Sequence, residues 1–222
     1  MPRRYALVAY VTSPVGQFVE ALRREVHPAL PHSAAHLTIL PPRRLHGSEA
    51  EALDILRTLC VQSLPFEVVL GDVATFLPVT TTVYVRVLEG ANSMRSLHGT
   101  LDTGALEFSE EWLYTPHLTI VKMESTDAAE SAFALARSLW MGYEGPRRVQ
   151  VTELTFVREE DDGTWRDLGL VSLGVQRYLQ LQKPETGLVT GLSAQLSQPS
   201  KLLRTKGHER LPCCVPSSFV AR

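Results

Sequence analysis

Apolar residues at the start of the chain change from a continuous run to a spacing of four, which predicts a strand followed by a helix. The run Tyr5–Val11 is almost wholly apolar and favours a buried strand. Ser13 and Pro14 then suit a helix cap and the first helical position. The next apolar residues would share one helix face: Phe18, Leu22 and Val26.

The unit continues with a second strand, a second helix and a third strand. The segment His36–Leu40 is short and mostly apolar, as in a strand, and Ser48 with Glu51 has the spacing of a capping box. Residues at helical spacing predict the helix that follows: Leu53, Leu56, Cys60 and Leu64. A strand at Phe66–Leu70 and the tripeptide Ala74–Phe76 complete the unit.

A second unit repeats this order. Strict alternation at Val83–Val87 predicts a half-buried strand, and His117–Val121 predicts another. Apolar spacing predicts one helix through Met94, Leu97 and Leu101, and a later one through Phe133, Ala136 and Trp140. The later helix has candidate caps at 125–127 and a stop at Gly142. Three further elements are expected: a strand at Arg148–Val157, a hairpin turn at Asp162–Gly163 and a last strand at about 164–173.

The spacing of matching residues indicates an internal duplication. The offset from His36 to Phe76 agrees within one residue with the offset from His117 to Phe156. A duplicated unit implies a pseudo-twofold axis, which would bring the two histidine strands together between two lobes. Clefts of this kind are favoured ligand sites.

These patterns predict an α+β fold with two pseudo-symmetric lobes, each an antiparallel sheet with outer helices, around a central cleft. The lobes would correspond to repeat units 5–76 and 84–156 of a domain spanning residues 1–180. The polar stretch 181–222 is expected to be a mostly disordered, dispensable tail. Six residues are expected in the core: Phe18, Leu22, Leu53, Leu56, Phe133 and Leu139.

Composition and charge narrow the classes of protein and of partner. The 222 residues are 44% apolar and 21% charged, as in ordinary globular proteins. A net charge of -2 argues against broad, charge-driven binding to a nucleic-acid backbone, but a small phosphate pocket needs only a few groups. No apolar run is long enough to span a membrane, so no membrane partner is expected. Three cysteines without a disulfide or zinc pattern favour reduced thiols and a cytoplasmic location.

Each unit carries the tetrapeptide His-Leu-Thr-Ile, at His36 and at His117. Residues two apart in a strand share a face, so Thr38 and Thr119 would join the two imidazoles in the cleft. One neutral histidine can take a proton from the attacking water or hydroxyl while the other, protonated, gives one to the leaving oxygen of a phosphodiester. The threonine hydroxyls can donate to the non-bridging oxygens. This chemistry requires no metal and no cofactor.

Other interpretations of these residues are weaker. A third His-x-Thr, beginning at His98, falls in a predicted helix and has no partner in the repeat, so we interpret it as structural. His36 and His117 could bind a metal, but no HxH, HExxH or cysteine pair accompanies them. The absence of G-x-S-x-G argues against a serine hydrolase. The alternatives kept are a non-catalytic RNA or nucleotide binder with the same pocket and an enzyme for another small phosphodiester.

The paired motifs resemble those of the two-histidine (2H) phosphoesterase superfamily and, within it, the 2'-5' RNA ligase family of bacterial cyclic phosphodiesterases. The resemblance covers about residues 4–176 and includes Pro41-Pro42-Arg43 after the first motif. It implies metal-independent hydrolysis of the 2',3'-cyclic phosphate end of an RNA or nucleotide to a 2'-phosphate, with reversible 2'-5' RNA joining in some members. It also implies His36 as general acid and His117 as general base, roles that two near-identical motifs do not assign by themselves.

Lys122 and Arg43 are further candidates for phosphate binding. Members of the family often carry arginine where this chain has Lys122, which supplies charge without a bidentate fork. Arg43 and Arg44 could line the cleft mouth or lie in a solvated loop. Trp112 and Tyr114 could stack a base, although core packing also accounts for them. We expect a monomer whose partner is an RNA end or a nucleotide with a cyclic phosphate.

Overall fold

One antiparallel sheet of eight strands and four helices make up the described part of the protein. The computed structural model describes residues 3–29 and 34–174, so the prediction of a tail at 181–222 lies outside the described residues. The strands are β1 Tyr5–Tyr10, β2 His36–Arg43, β3 Phe66–Thr75, β4 Thr82–Glu89, β5 His117–Lys122, β6 Arg148–Val151, β7 Glu153–Glu159 and β8 Trp165–Ser172. The helices are α1 Pro14–Val26, α2 Glu49–Cys60, α3 Ala91–Leu101 and α4 Thr126–Met141.

The strand order across the sheet is β6-β3-β4-β5-β2-β1-β7-β8. Its two halves, β6-β3-β4-β5 and β8-β7-β1-β2, correspond strand for strand, so a pseudo-twofold axis passes between β5 and β2. This confirms the α+β class with two pseudo-symmetric halves. The halves are not the repeat units themselves, because β3 of the first unit pairs with β4 of the second, and β7 of the second pairs with β1 of the first. The lobes exchange a strand and share one continuous sheet.

The single strand predicted at Arg148–Val157 is wrong, because the structure forms two strands there. β6 pairs with β3 at one edge of the sheet, and β7, directly after Thr152, pairs with β1 and β8 near the other edge. Only one residue separates them, so the sheet curls until its two edges approach each other. The buried apolar residues change phase at this point: Val149 and Val151 precede it, and Leu154 and Phe156 follow it.

The one-residue difference in spacing between the repeats separates Phe76 from Phe156. Phe76 lies on the face that bears the histidines, with its ring centroid 5.0 Å from that of His117. Phe156 is buried in the core and stacks on Tyr5 at 5.7 Å. Because adjacent residues of a strand face opposite sides, a shift of one residue reverses the face. The two phenylalanines therefore are not structural equivalents.

The helices begin where the sequence signals predict, but their caps differ. The Ser48 hydroxyl accepts from the Glu51 backbone N–H, and the Glu51 carboxylate accepts from the Ser48 N–H, which is the capping box. Ser13 precedes Pro14, the first residue of α1, but its hydroxyl makes no capping hydrogen bond. Gly142 follows the last residue of α4 as predicted. The prediction of Leu64 in the second helix is wrong, because α2 ends at Cys60.

The core lies between the helices and one face of the sheet. Of the six residues predicted there, Leu22 and Leu56 are buried, and Phe18, Leu53 and Phe133 are partly buried against the core. Leu139 is 37% exposed, so its prediction is wrong. The buried face of α4 consists of other residues: Ala129, Ala132, Ala136 and Trp140. Leu139 precedes Trp140 by one position, about 100° round the helix from that face.

Arg43, at the end of β2, is only 1% exposed and is held by two carboxylates. Its Nη1 donates to Asp102 Oδ1 (2.6 Å) and to the Leu106 carbonyl oxygen (2.9 Å), and its Nη2 donates to Glu110 Oε1 (2.6 Å). The guanidinium thus ties β2 to the segment after α3. Both sequence interpretations, a cleft mouth and a solvated loop, are wrong for Arg43. Arg44 is exposed.

Removing the Arg43 guanidinium should destabilise the fold strongly. In Arg43→Ala, the Asp102 and Glu110 carboxylates keep their charge and lose their partner, which costs about 3 kcal/mol when a buried pair is broken. Urea denaturation would measure the free energy of unfolding. Arg44→Ala is the matched control and should stay within about 0.5 kcal/mol of the wild type. Equal effects of the two substitutions would contradict the structural role of Arg43.

Candidate active site

The two His-Leu-Thr-Ile motifs meet where β2 pairs with β5. Leu37 and Leu118 are directly opposite each other, and both are fully buried in the core. In an antiparallel pairing, the residues beside such a pair also face each other across the strands. His36 and Thr38 therefore lie opposite residues of the second motif, on the face away from the core. The burial of each motif alternates as a strand requires.

The two imidazoles are held by the same hydrogen bond in each motif. His36 Nδ1–H donates to the Ala34 carbonyl oxygen (2.8 Å), and His117 Nδ1–H donates to the Thr115 carbonyl oxygen (2.6 Å). A carbonyl oxygen can only accept, so the proton is assigned to Nδ1 in both rings. In the neutral form, Nε2 then carries the lone pair. Each arm thus presents a nitrogen that can take or give one proton.

Burial lowers the pKa of both histidines below the ordinary value of 6.5. The bonds to Ala34 and Thr115 oppose this effect by stabilising the protonated rings. The Arg23 guanidinium and His117 lower the pKa of His36 further, because like charges repel. The pair is therefore tuned to lose its protons more readily than histidines in water.

Aromatic rings surround the histidines on the same face of the sheet. The Tyr84 ring lies edge-on to His117 with centroids 5.2 Å apart, and Phe76 stacks on Tyr84 at 4.1 Å. In the other half, the Tyr10 ring meets His36 edge-on at 6.4 Å, and its hydroxyl donates to Asp167. These rings supply part of the low-dielectric surroundings that shift the two imidazoles.

Arg23 and Glu20 on α1 support both motifs, and the sequence did not single them out. Arg23 is buried, and its Nη2 and Nε donate to the Thr119 carbonyl oxygen at 2.6 and 3.3 Å. Glu20 Oε1 accepts from the Ala35 backbone N–H (2.9 Å), next to His36. One helix thus fixes the backbone next to both histidine motifs. The sequence did contain a signal for them, because Glu20 and Arg23 are charged residues on an otherwise apolar face of the predicted helix.

A cavity of about 850 Å³ opens beside the second motif. Its lining includes His117, both motif threonines and Lys122. The lining therefore contains four of the predicted site residues. His36 is not among them, but it lies on β2 beside β5, and the charge of His117 lowers its pKa. Within the described residues, neither threonine hydroxyl has a hydrogen-bond partner of its own, so both can donate to a ligand. Arg43 is not among the lining residues.

His98 and Tyr114 have structural positions behind the first motif. The two rings stack at 4.1 Å, and His98 Nδ1–H donates to the Ile39 carbonyl oxygen (2.8 Å). The Tyr114 hydroxyl donates to the Thr38 carbonyl oxygen (2.6 Å). The third His-x-Thr therefore lies outside the pair of motifs. Tyr114 lines the cavity and is packed against the core, where its hydroxyl braces β2.

Arg86 is a second cation near His117 that the sequence analysis missed. It is exposed and lies directly opposite His117 in the β4–β5 pairing. It is two residues from Tyr84, so it shares the histidine face. Alternation in β4 predicted this face, but the partner strand was needed to place Arg86 beside the site.

The described ranges contain neither a cluster of metal ligands nor a membrane-spanning helix. No group of three or more His, Cys, Asp or Glu side chains in residues 3–29 and 34–174 is arranged to hold a metal ion. In the same ranges, no helix combines the length and apolar character needed to cross a membrane.

Comparisons with known proteins agree with this fold. A "Putative phosphoesterase" of Oceanobacillus iheyensis is 26% identical over 120 residues, which are 54% of this chain and 70% of that protein. Another, from Bacillus thuringiensis, is 24% identical over 165 residues, 73% of this chain and 92% of that one. The crystal structure of E. coli LigT complexed with NADP+ superposes with a TM-score of 0.53 at 20% identity, covering 78% of this chain and 98% of LigT.

The family is identified by a match along most of the described chain. The sequence profile of the 2'-5' RNA ligase superfamily matches residues 11–163, which include both His-Leu-Thr-Ile motifs and the strands that carry them. The LigT structure shows the same fold over nearly its whole length. This protein belongs to the 2'-5' RNA ligase superfamily of 2H phosphoesterases.

Proposed function

We propose that this phosphoesterase hydrolyses the 2',3'-cyclic phosphate end of an RNA or nucleotide to a 2'-phosphate. The observation that carries the proposal is the pair of imidazoles, each with Nδ1–H donated to a backbone carbonyl and Nε2 left for the substrate. One arm can act as base and the other as acid at the same phosphorus atom. The E. coli LigT structure complexed with phosphate, with a TM-score of 0.50, supports phosphate binding in this fold.

The reaction needs one proton taken and one given. The base imidazole accepts a proton from water as the water oxygen bonds to phosphorus. The P–O3' bond breaks, and the acid imidazolium protonates O3', which leaves the phosphate on O2'. The hydroxyls of Thr38 and Thr119 donate to the non-bridging oxygens, where charge develops. Lys122 and Arg86 supply positive charge nearby. A 5'-hydroxyl of RNA in place of water would give a 2'-5' linkage.

Loss of either imidazole should abolish turnover. We expect His36→Ala and His117→Ala each to lower kcat by roughly 100-fold or more, because each removes one proton-transfer group. Hydrolysis of a nucleoside 2',3'-cyclic phosphate in EDTA, with the product identified by phosphorus NMR, measures this. His46→Ala is the control, because His46 is exposed and away from the site. Turnover that needs an added metal, or that survives either substitution, would rule out the proposed mechanism.

The pH profile should have its maximum on the acid side. The active form carries one proton on the pair, and burial lowers the pKa of both histidines below 6.5. Raising the pH removes the proton from the acid, so kcat/KM should peak below pH 6.5 and then fall about tenfold per pH unit. Lowering the pH further protonates the base, so kcat/KM also falls on the acid side of the maximum. A plateau extending through pH 8 would contradict this assignment.

The field of Arg23 distinguishes the two histidines. Burial is the largest cause of the lowered pKa of both histidines, and the Arg23 guanidinium is an additional cause at His36. Its positive charge favours the neutral form of His36, because like charges repel.

Replacing Arg23 should change the titration of His36 selectively. In Arg23→Met, removal of the positive charge should raise the pKa of His36 and leave that of His117 nearly unchanged. NMR titration of the imidazole protons measures both values without reference to activity. Arg24→Met, at an exposed neighbouring position, should shift neither. An equal shift of both pKa values in Arg23→Met would contradict this selective effect of Arg23 on His36.

A further inference from the structure

The cavity beside His117 is much larger than a phosphate requires. Its volume of about 850 Å³ is in the range that accommodates a drug-sized molecule. Apart from the histidine, the threonines and a few charged residues, its wall is apolar and aromatic. The principal rings are those of Phe76, Phe108 and Trp112. A phosphate held by the motifs would therefore have a large apolar surface beside it.

The charges on this wall do not suit a second phosphate. Lys122 is the one cation among the described residues that line the cavity, and Glu110 and Glu111 are the carboxylates. Glu110 is already bound to Arg43. Proteins that hold single-stranded nucleic acid combine stacking rings with a groove of cations that follows the backbone. Here the rings are present, and the row of cations is missing from the described lining.

The apolar wall is exposed but fixed in place. Trp112 is 60% exposed and Leu113 is 95% exposed, so both leave apolar surface for a ligand to cover. On one side, the Phe108 N–H donates to Asp102, which Arg43 holds. On the other side, the Tyr114 hydroxyl donates to the Thr38 carbonyl oxygen, beside the catalytic histidine. A segment anchored at both ends can bind a flat group with little ordering cost.

We propose that the preferred substrate is a small cyclic phosphodiester with one phosphate and one flat ring of nucleobase size, rather than an RNA strand. The phosphate lies at the motif histidines and threonines, and the ring lies against Phe76, Phe108 and Trp112. This inference rests on the proposed function and adds the substrate class. A substrate with a single phosphate is compatible with the near-neutral net charge of the protein, because one phosphate needs only a few polar groups.

Substrate length and the presence of the ring are the variables to test. We would measure kcat/KM for adenosine 2',3'-cyclic phosphate, for ribose 2',3'-cyclic phosphate without a base, and for RNA oligonucleotides of increasing length that end in the same group. The ring should raise kcat/KM roughly ten- to 100-fold, as expected for base stacking on aromatic side chains. Added nucleotides should give no gain. A steady rise with RNA length, accompanied by a steep salt dependence, would overturn the proposal.

Matched tryptophan substitutions locate the ring. Trp112→Ala should lower kcat/KM for the nucleoside substrate and leave the ribose substrate unchanged. Trp165→Ala, on β8 and outside the cavity lining, should affect neither. Equal losses for both substrates in Trp112→Ala would show that the ring does not lie there. Phe108→Ala provides a second test with the same expected pattern.

Binding measurements separate this inference from the proposed reaction. If the folded wild type turns over none of the substrates, the proposed function fails. Calorimetry with adenosine 2'-phosphate and ribose 2-phosphate then still tests the wall, because tighter binding of the adenosine compound must be lost in Trp112→Ala. Equal binding of the two compounds would overturn the inference by itself.

Discussion

The meeting of β2 and β5 at Leu37 and Leu118 is the constraint on which the rest of the site depends. Both leucines must lie in the core, and strand alternation then sends the neighbouring histidines and threonines to the opposite face. A shift of one residue in either strand would bury the imidazoles in the core and expose the leucines. The packing energy of the core thus also fixes the positions of the two histidines and two threonines.

Buried polar groups hold the surroundings of the site in place. Arg23 fixes the backbone of β5 from the helix side, and Arg43 fixes the segment that carries Phe108. Each cation is buried because its donors meet carbonyl or carboxylate oxygens, which offset the desolvation cost. The two arginines differ in their consequences. Arg23 also acts on the protonation of His36 through space, whereas Arg43 shapes the wall where a substrate would lie.

Local patterns in the sequence predicted the elements and the histidine motifs, and long-range pairing accounts for what they missed. His36, Thr38, His117 and Thr119 could be placed because alternation fixes a face without knowledge of the partner strand. The break at Thr152 left a visible phase change in the apolar residues, which a search for one continuous strand overlooks. The contacts of Arg43 and Arg23 depend on residues far along the chain, and no local rule connects an arginine with a distant carbonyl.

The exchange of strands between the two repeat units affects the order in which the strands of the sheet can pair during synthesis. During synthesis β1 leaves the ribosome long before its partner β7, which follows the six strands β1–β6 and the helices α1–α4 in the chain. Until β7 arrives, one edge of β1 has no strand to pair with, and one edge of β3 waits in the same way for β6. Such open edges invite pairing with other chains. A nascent chain that ends before β7 therefore keeps an open strand edge, and neither repeat unit contains all the strands of one half of the sheet.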